Sequence, residues 1–565
     1  MANTLKACFL AALVSGSALL SACTAANTDR DQENITTPAD NQNAAVTTKH
    51  DPNVPDHVVV SDITPNHGDT PSSQNPAPAV TAPPVSIPAQ DGTQTNAKGE
   101  IIDDWQSGLS FNNKGNTDAL YAEYGIDRNA REGYYRMISS ECAFPIVHVS
   151  TKNNAEILSL DDYVDCFVEV FNCDDIYELN AARAGIKVRG NASAHYGDVG
   201  AIRSDGAPYR IKFDEKQSML GLNDFARCRS WVLLRTFDTG IRDHLAFNIA
   251  RAVNGGDYYV SDSQLVQLYV NEKYKGLYLL CEQTQENSER IDINEAENGY
   301  TGTDIGYLVE LDNYAEGDDD PYFYLVYDRE EITDVYGTSR VPRKYAYSVK
   351  NDLYSDEQLK FIERYFEVAW TVSKRAIVNG QYYKVDENFE LIPAQDEFRT
   401  AYECISAVFD IQSVVDMYIA YEIVNDQDVG GGSFFFAVDF GEGSKYPRLT
   451  MVAPWDFDWG YTDYNSTSDG GLYAAKFKDN HFVESFGDRS NPWLILFYSA
   501  DWFRELVKQT WRERLPYINA AISDVENTVV NFADDFNKDI RRSGRAITTV
   551  HWARDRVDYL NTLWG

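Results

Sequence analysis

Basic residues are scarce in this sequence, which has 50 Lys and Arg against 87 Asp and Glu and a formal net charge of -37. A surface of that charge repels phosphate backbones, so nucleic acid is not expected as a partner. Histidine pairs are missing as well: none of the eight His residues stands in a His-x-His or His-Glu-x-x-His arrangement, and no two Cys form a Cys-x-x-Cys pair. These absences count against a structural zinc site and against a metal-dependent hydrolase.

Long apolar runs are absent apart from one at the N-terminus. Lys6 precedes an apolar, small-residue run over 7–22, which is shorter than the about 20 residues that span a bilayer. The run is typical of a signal peptide. It ends in Leu20-Ser-Ala-Cys23, which resembles a bacterial lipobox and predicts lipidation of Cys23; an ordinary signal peptide cleaved nearby is the alternative. We therefore expect residues 1–23 to be a lipoprotein signal peptide. The protein would be lipid-anchored in the cell envelope and exposed outside the cytoplasm.

Large apolar residues are almost missing from residues 24–100, which are rich in Thr, Asn, Asp, Pro, Gln and Ala. Such a segment cannot bury enough surface to offset the entropy of ordering it. We predict a disordered linker that tethers the following domain to the lipid anchor, with an N-terminal extension over 101–141.

Cysteines are few, but their number is even in the predicted mature fold. In an oxidising compartment six cysteines permit three disulfides, with 15 pairings that the sequence does not rank. Buried free thiols are the alternative. The six are Cys142, Cys166, Cys173, Cys228, Cys281 and Cys404.

The remaining chain has ample material for a core, since 43% of the sequence is apolar and 13% aromatic. Strand patterns fill its first half; in 209–213, for example, apolar and basic residues alternate. Helical patterns fill its second half, at 355–379, at 413–425 and from 492 onward. The acidic segment 312–343 is predicted as an exposed insertion and 380–398 as a loop. The pattern predicts an α+β fold with a β-rich and a helical lobe and a cleft between them.

Two carboxylates follow a short apolar strand in Ala453-Pro-Trp-Asp-Phe-Asp-Trp-Gly460. Asp456 and Asp458 have the hard oxygen ligands that Mg²⁺ prefers, and Mg²⁺ needs only one or two carboxylates besides phosphate and water. The alternative is a structural Trp-Asp pair. We predict Asp456 and Asp458 as metal ligands.

A second acidic pair, Asp426 and Asp428, follows an apolar helix and precedes a run of three glycines. A helix end with a glycine stop is the alternative interpretation. Acidic residues at a helix C-terminus oppose the helix dipole, however, and this unfavourable placement indicates a functional reason. We predict these two residues as catalytic.

Two further candidates lie in the strand-rich half. Lys212 stands in the alternating strand at 209–213, where it could contact phosphate as a point charge, and an exposed strand lysine is the alternative. Glu282 ends a predicted hairpin, with strands at 264–270 and 277–282, and is unremarkable by itself.

Eight short segments, in this order, resemble the spore-coat-protein-H (CotH) kinase family, from about residue 142 to about 515. They are Arg189-Gly-Asn-Ala-Ser193, Tyr209-Arg-Ile-Lys-Phe-Asp214, Ser230-Trp-Val-Leu-Leu234, Asp238-Thr-Gly-Ile-Arg-Asp243, Tyr269-Val-Asn-Glu-Lys-Tyr-Lys-Gly-Leu-Tyr-Leu-Leu-Cys-Glu282, Gly306-Tyr-Leu-Val-Glu-Leu-Asp312, Asn425-Asp-Gln-Asp428 and Pro454-Trp-Asp-Phe-Asp458. The resemblance divides the ordered chain into a CotH kinase-like domain over 142–515 and a C-terminal helical segment over 516–565.

The resemblance implies a bilobal, atypical protein-kinase-like fold with ATP and Mg²⁺ between the lobes. Arg189, Lys212 and Glu282 would then lie on the cofactor side, with Lys212 contacting the nucleotide phosphates. Asp428 corresponds to the catalytic carboxylate and Asp456 to the metal-binding one, with Asp458 as a possible second ligand.

The sequence departs from the family pattern in two places. Asp426 occupies a position where the family usually has Asn, which leaves open whether Asp426 or Asp428 is the base; we favour Asp428. Residues 205–208 replace a pair of lysines, which removes positive charge near the phosphates.

The function implied is an extracytoplasmic, membrane-tethered kinase that transfers the ATP γ-phosphate to Ser or Thr of envelope or surface proteins. The protein substrate is unknown. The alternative is a catalytically inactive surface-binding or adhesion module with the same fold.

Overall fold

The structure, a computed structural model, describes residues 93–95, 101–104, 109–110, 117–190, 192–195, 202, 206–235, 240–317, 319–461, 471–478, 489–538 and 543–565. The predicted signal peptide with Cys23 lies outside these residues, as does nearly all of the predicted linker. Within the predicted linker, residues 93–95 form a strand, so regular structure begins before the predicted limit at residue 100.

Seventeen strands and eleven α-helices occur in the described part of the chain. The strands are β1 (Thr93–Thr95), β2 (Ile101–Asp104), β3 (Leu109–Ser110), β4 (Ile146–Thr151), β5 (Val164–Phe171), β6 (Leu179–Val188), β7 (Tyr209–Gln217), β8 (Cys228–Leu234), β9 (Ser263–Val270), β10 (Lys273–Glu282), β11 (Gly306–Leu311), β12 (Tyr322–Tyr327), β13 (Arg343–Val349), β14 (Tyr383–Val385), β15 (Leu391–Pro393), β16 (Phe434–Asp439) and β17 (Thr450–Val452). The helices are α1 (Thr117–Tyr124), α2 (Arg128–Ser139), α3 (Leu222–Phe225), α4 (Ile241–Asn254), α5 (Asp356–Asn379), α6 (Ala401–Ile405), α7 (Ile411–Val424), α8 (Pro492–Tyr498), α9 (Asp501–Asn531), α10 (Ala533–Lys538) and α11 (Ser543–Trp564).

Strands β4 to β10 close into a barrel in the order β10-β8-β7-β6-β5-β4-β9. Neighbouring strands are antiparallel except β4 and β9, which are parallel. Strand β7 shows how the sequence supports this closure. Tyr209, Ile211 and Phe213 are buried in one apolar cluster with residues of the other barrel strands, whereas Lys212 between them is exposed. The predicted β-rich first half is thus a closed barrel.

A second sheet, antiparallel throughout, has the order β12-β13-β11-β16-β17. Its edge strand β12 lies in residues 312–343, so the prediction of an exposed insertion there is wrong. Phe323, Leu325 and Tyr327 are buried, and β12 pairs with β13 along its whole length. The acidic run that precedes β12 dominates the local composition and hides the alternation of apolar residues after it.

The second half of the chain is built around helix α7, which is buried on almost every side and packs against α4, α9 and α11. The predicted helices at 355–379 and 413–425 agree with α5 and α7 to within two residues. Helix α5 begins at a capping box, in which Ser355 accepts the N–H of Gln358 and Gln358 accepts the N–H of Ser355. The predicted loop at 380–398 instead contains the hairpin β14–β15.

The predicted domain limit at residue 515 falls inside the continuous helix α9. Residues on both sides of this limit, such as Trp511 and Ile518, belong to the same apolar core. The final helix α11 joins this core through Val557, Leu560 and Trp564. The C-terminal helices are therefore packed into the main core.

The six cysteines all have free thiols, so the structure follows the second of the two alternatives. Cys166, Cys228, Cys281 and Cys404 are buried. Within the described ranges no helix has the length and apolar character needed to cross a membrane.

Candidate active site

The C-terminus of helix α7 places the first acidic pair. Asp410 caps the start of the helix by accepting the N–H of Ser413 at 3.2 Å. The helix ends at Asn425, which adopts a left-handed conformation with φ 57°. The next residue, Asp426, is only 2% exposed, and its Oδ1 atom is buried without a hydrogen-bond partner. A buried carboxylate at the negative end of a helix is destabilised unless a positive charge approaches it.

The segment after β17 places the second acidic pair. Three backbone N–H groups hold it: that of Ala453 donates to the carbonyl of Tyr259 at 3.1 Å, and that of Phe457 donates to Asp243 Oδ1 at 2.8 Å. The N–H of Tyr461 donates to the carbonyl of Val424 at 2.7 Å. This last bond joins the segment directly to the end of α7, so the two acidic pairs lie in adjoining segments.

Three of the four carboxyl groups, those of Asp426, Asp456 and Asp458, influence one another electrostatically. Burial raises the pKa of Asp426 to about 7; Lys478 and Arg489 lower this pKa, and Asp456 raises it. Burial also raises the pKa of Asp458 well above its usual range, and the charges of Asp456 and Asp426 add to this effect. Loss of contact with water is the main cause of these shifts, and a bound cation would stabilise the charged form of the carboxyl groups.

The fit to Mg²⁺ rests on these donors. In the described residues, no group of three or more His, Cys, Asp or Glu side chains is placed to hold a metal ion by itself. Mg²⁺ does not require such a group, because phosphate and water complete its shell beside one or two carboxylates. Asp456, Asp458 and the unpartnered Oδ1 of Asp426 have the oxygen chemistry that the ion prefers.

Residues with positive φ also occur in these two segments. Four residues other than glycine have positive φ values here: Asn425 (57°), Ala453 (48°), Asp456 (65°) and Tyr461 (54°). Such conformations are uncommon for residues with a side chain, and they persist where the surrounding structure enforces them.

Arg189 is the predicted cofactor residue that the structure brings to the acids. It follows β6 of the barrel, and its guanidinium carbon lies 5.8 Å from the ring centroid of Trp455. Desolvation by the surrounding protein raises the pKa of Asp456, although this side chain is partly open to solvent, and the charge of Arg189 lowers it. The barrel thus contributes a cation to the acidic segment.

Lys212 and Glu282 have different surroundings. Lys212 is exposed on β7, and no contact within the described part of the chain joins it to the acidic pairs. Glu282 is fully buried, forms an ion pair with Arg290 at 3.3 Å and accepts the N–H of Asp262 at 3.2 Å. The carboxylate of Glu282 is engaged within the protein, so contact with a nucleotide would require it to rearrange.

Three basic side chains near the acids were not predicted from the sequence. Arg242 Nη1 donates to the carbonyl of Asp458 at 2.7 Å. Lys478 is 6% exposed and acts on Asp426 through its charge. Arg489 forms an ion pair with Asp428. Arg242 belongs to a segment of the family resemblance and could have been suspected, whereas nothing in the local sequence marks Lys478 or Arg489.

Asp426→Asn is expected to stabilise the protein more at pH 8 than at pH 5 in the presence of a chelator. Because the pKa of Asp426 rises from 3.8 to about 7 on folding, the free energy of unfolding falls as the pH rises through this interval. The increase in the free energy of unfolding caused by Asp426→Asn should therefore be larger at pH 8 than at pH 5 by at least about 1 kcal/mol. Denaturant midpoints measure this, with exposed Asp396→Asn as the control. An equal gain at both pH values would contradict the prediction.

A known protein family matches the part of the chain that carries this site. The chain matches the family described as CotH kinase protein over residues 186–560, which is most of its length and includes both acidic pairs, Arg189 and Arg489. No curated protein matches the chain. The family name supports a kinase-like protein and a phosphotransferase at the level of the family, and it is consistent with the use of ATP and a divalent metal. This protein belongs to the CotH kinase family.

Proposed function

We propose that this protein is an atypical kinase that transfers the γ-phosphate of ATP, with Mg²⁺ as cofactor, to Ser or Thr of envelope or surface proteins. The observation that carries the proposal is the joining of two acidic segments, 425–428 and 453–461, at the end of a buried helix. Phosphoryl transfer demands little covalent chemistry of the protein. It demands positioning and compensation of charge, which rigidly held carboxylates and cations provide.

Each side chain takes a role that follows from its surroundings. Asp456 and Asp458 would hold Mg²⁺, which when bound compensates the charge of the transferring phosphate. Arg189, beside Asp456, adds a fixed positive charge from the barrel. Asp428 is one-third exposed, so it is accessible to an acceptor hydroxyl, whose proton it accepts or orients. Asp426 shapes the charge of the site from its buried position, and Lys212 and Glu282 remain predicted nucleotide contacts.

We infer that the barrel and the part built around α7 correspond to the two lobes of a kinase. Contacts of Arg189 with Trp455 and of Arg242 with Asp458 support this reading, because they join the first half of the chain to the segment that carries the metal-binding candidates. The site is thus assembled from residues far apart in sequence.

The proposed place of action is the cell envelope, with Cys23 as the lipid-bearing residue. The apolar run at 7–22 and the lipobox-like Leu20-Ser-Ala-Cys23 support it. The strongly acidic composition supports a protein partner over nucleic acid.

The second candidate function is a catalytically inactive binding module, and one observation favours it. The carboxylate of Asp428 is already engaged by Arg489, as expected if no substrate has to reach it. Incubating the protein with γ-labelled ATP, alone and with envelope extract, separates the two functions. Label transferred to protein supports the kinase, and its absence at full nucleotide occupancy supports the binding module.

Asp456→Ala is expected to abolish the stabilisation of the protein by Mg-ATP. A ligand that binds only the native state stabilises it by about 2.7 kcal/mol at a concentration of 100 Kd, and without a metal-binding carboxylate that gain should be lost. Thermal unfolding with and without Mg-ATP measures the effect, with exposed Asp396→Ala as the matched control. A melting temperature that rises as much in Asp456→Ala as in wild type would refute the metal role.

A further inference from the structure

A buried arginine, Arg489, contacts the carboxylate of Asp428. Arg489 forms an ion pair with Asp428 through Nη1 and Oδ1, and its own side chain is only 8% exposed. Its guanidinium carbon lies 5.0 Å from the ring centroid of Trp459, and Nη2 donates to the hydroxyl of Tyr314 at 3.3 Å. Three elements of the protein therefore hold this one side chain in place.

The glycines after Asp428 make room for this pair. A Cβ atom at Gly430 would lie 2.4 Å from the backbone of Ser490, so only glycine lets the residues around 489 approach the end of α7. A Cβ atom at Gly431 would lie 2.3 Å from Asp428 Oδ1 and 3.2 Å from Arg489 Nη1. The neighbouring Gly432 has open space at the same point. A side chain at Gly430 or Gly431 would therefore disturb the ion pair or the segment that carries Arg489, whereas a side chain at Gly432 would not.

We propose that Arg489 is the positioning residue of Asp428: it holds the carboxylate in one orientation toward the acceptor hydroxyl. This inference rests on the proposed kinase function. A carboxylate at a chain turn has free rotamers, and a guanidinium gives it a directional partner with a planar set of donors. Since the arginine is itself buried and fixed by Trp459 and Tyr314, the orientation is set before any substrate arrives.

Arg489→Gln is expected to lower kcat by about 10- to 100-fold, with the KM for ATP changed by less than about threefold, because a misplaced base slows the reaction without altering the metal ligands. Arg489→Lys should retain part of the lost rate, since it keeps the charge but not the planar donors. In the Asp428→Ala background, Arg489→Gln should cause almost no further loss, because a residue that acts only through Asp428 has nothing left to position. If Arg489 had only a structural role, Arg489→Gln would lower the melting temperature but would not give this pattern of kcat values.

Gly431→Ala tests the same pair without removing a charge. It should lower kcat because the new methyl group displaces Asp428 or Arg489, whereas the matched Gly432→Ala should keep the wild-type rate. This comparison decides the question if Arg489→Gln does not fold.

The possible outcomes distinguish the positioning role of Arg489 from the kinase function. If the wild type transfers phosphate and Arg489→Gln keeps its kcat, or if its loss adds fully to that of Asp428→Ala, the positioning role is overturned and the kinase function stands. If Gly431→Ala and Gly432→Ala are equally active, the positioning role also falls. If the wild type binds Mg-ATP but transfers no phosphate to any protein, the kinase function falls and the inference with it.

Discussion

Asp428→Ala is expected to lower phosphoryl transfer by about 10²- to 10⁴-fold while Mg-ATP still binds. The carboxylate follows the end of α7 and is one-third exposed, so it is available to an acceptor, whereas the metal-binding candidates lie in the segment after β17. This variant should therefore lose most of its transfer rate and keep its affinity for the nucleotide. Transfer of γ-labelled phosphate measures the rate, and the melting temperature with and without Mg-ATP measures binding.

The control for this prediction must account for Arg489, which loses a partner when Asp428 is truncated. Asp428→Asn keeps the shape of the side chain and removes the base, so it should be as slow as Asp428→Ala with a smaller loss of stability. Exposed Asp396→Ala should transfer phosphate at the wild-type rate. An Asp428→Asn protein with wild-type activity would show that Asp428 is not the base. The role would then pass to Asp426, the other residue that the sequence leaves open.

Arg556→Ala is expected to lower the free energy of unfolding by about 3–5 kcal/mol, because it leaves a buried charge without its partner. Glu422 on α7 is fully buried, forms an ion pair with Arg556 of α11 at 2.5 Å and accepts the N–H groups of Tyr473 and Ala474. Arg556 also donates to the carbonyl of Gly471 at 2.8 Å. One arginine thus joins the last helix, α7 and the segment 471–478. Denaturant unfolding of the whole chain measures the loss.

Two further variants test the cause of that loss. In the Arg556→Ala background, Glu422→Gln should recover part of the stability, since it removes the uncompensated charge. Arg364→Ala breaks the ion pair with Glu367, in which both side chains are nearly half exposed, and should change stability by less than about 1 kcal/mol. Arg556→Ala with an unchanged unfolding midpoint would show that the buried pair contributes nothing.

Local patterns in the sequence were enough to predict many elements. The alternation at 209–213 predicts a strand that the structure has as part of β7, and the strands predicted at 264–270 and 277–282 lie within β9 and β10. Such patterns are informative because side chains on one strand face alternate sides and one side is buried. They failed at β12, where acidic residues precede the alternating Phe323, Leu325 and Tyr327.

The long-range pairings could not be predicted in this way. The barrel closes where β4 pairs with β9 in parallel, for example Val147 with Leu268. Nothing in the sequence of either strand indicates that the other is its partner. The same holds for the thiols, whose even number is compatible with both disulfides and free cysteines. Pairing partners depend on topology, which a pattern over ten residues does not contain.

By itself, the sequence determined most of the strands and helices, the family and the two pairs of acids, because each of these is recorded in residues close together along the chain. Only the tertiary structure decided that Asp426 is buried with an unpartnered oxygen, that Glu282 is engaged by Arg290 and that Arg489 meets Asp428. These facts depend on distances between segments far apart in the chain. Those distances are set by how the helices and sheets pack.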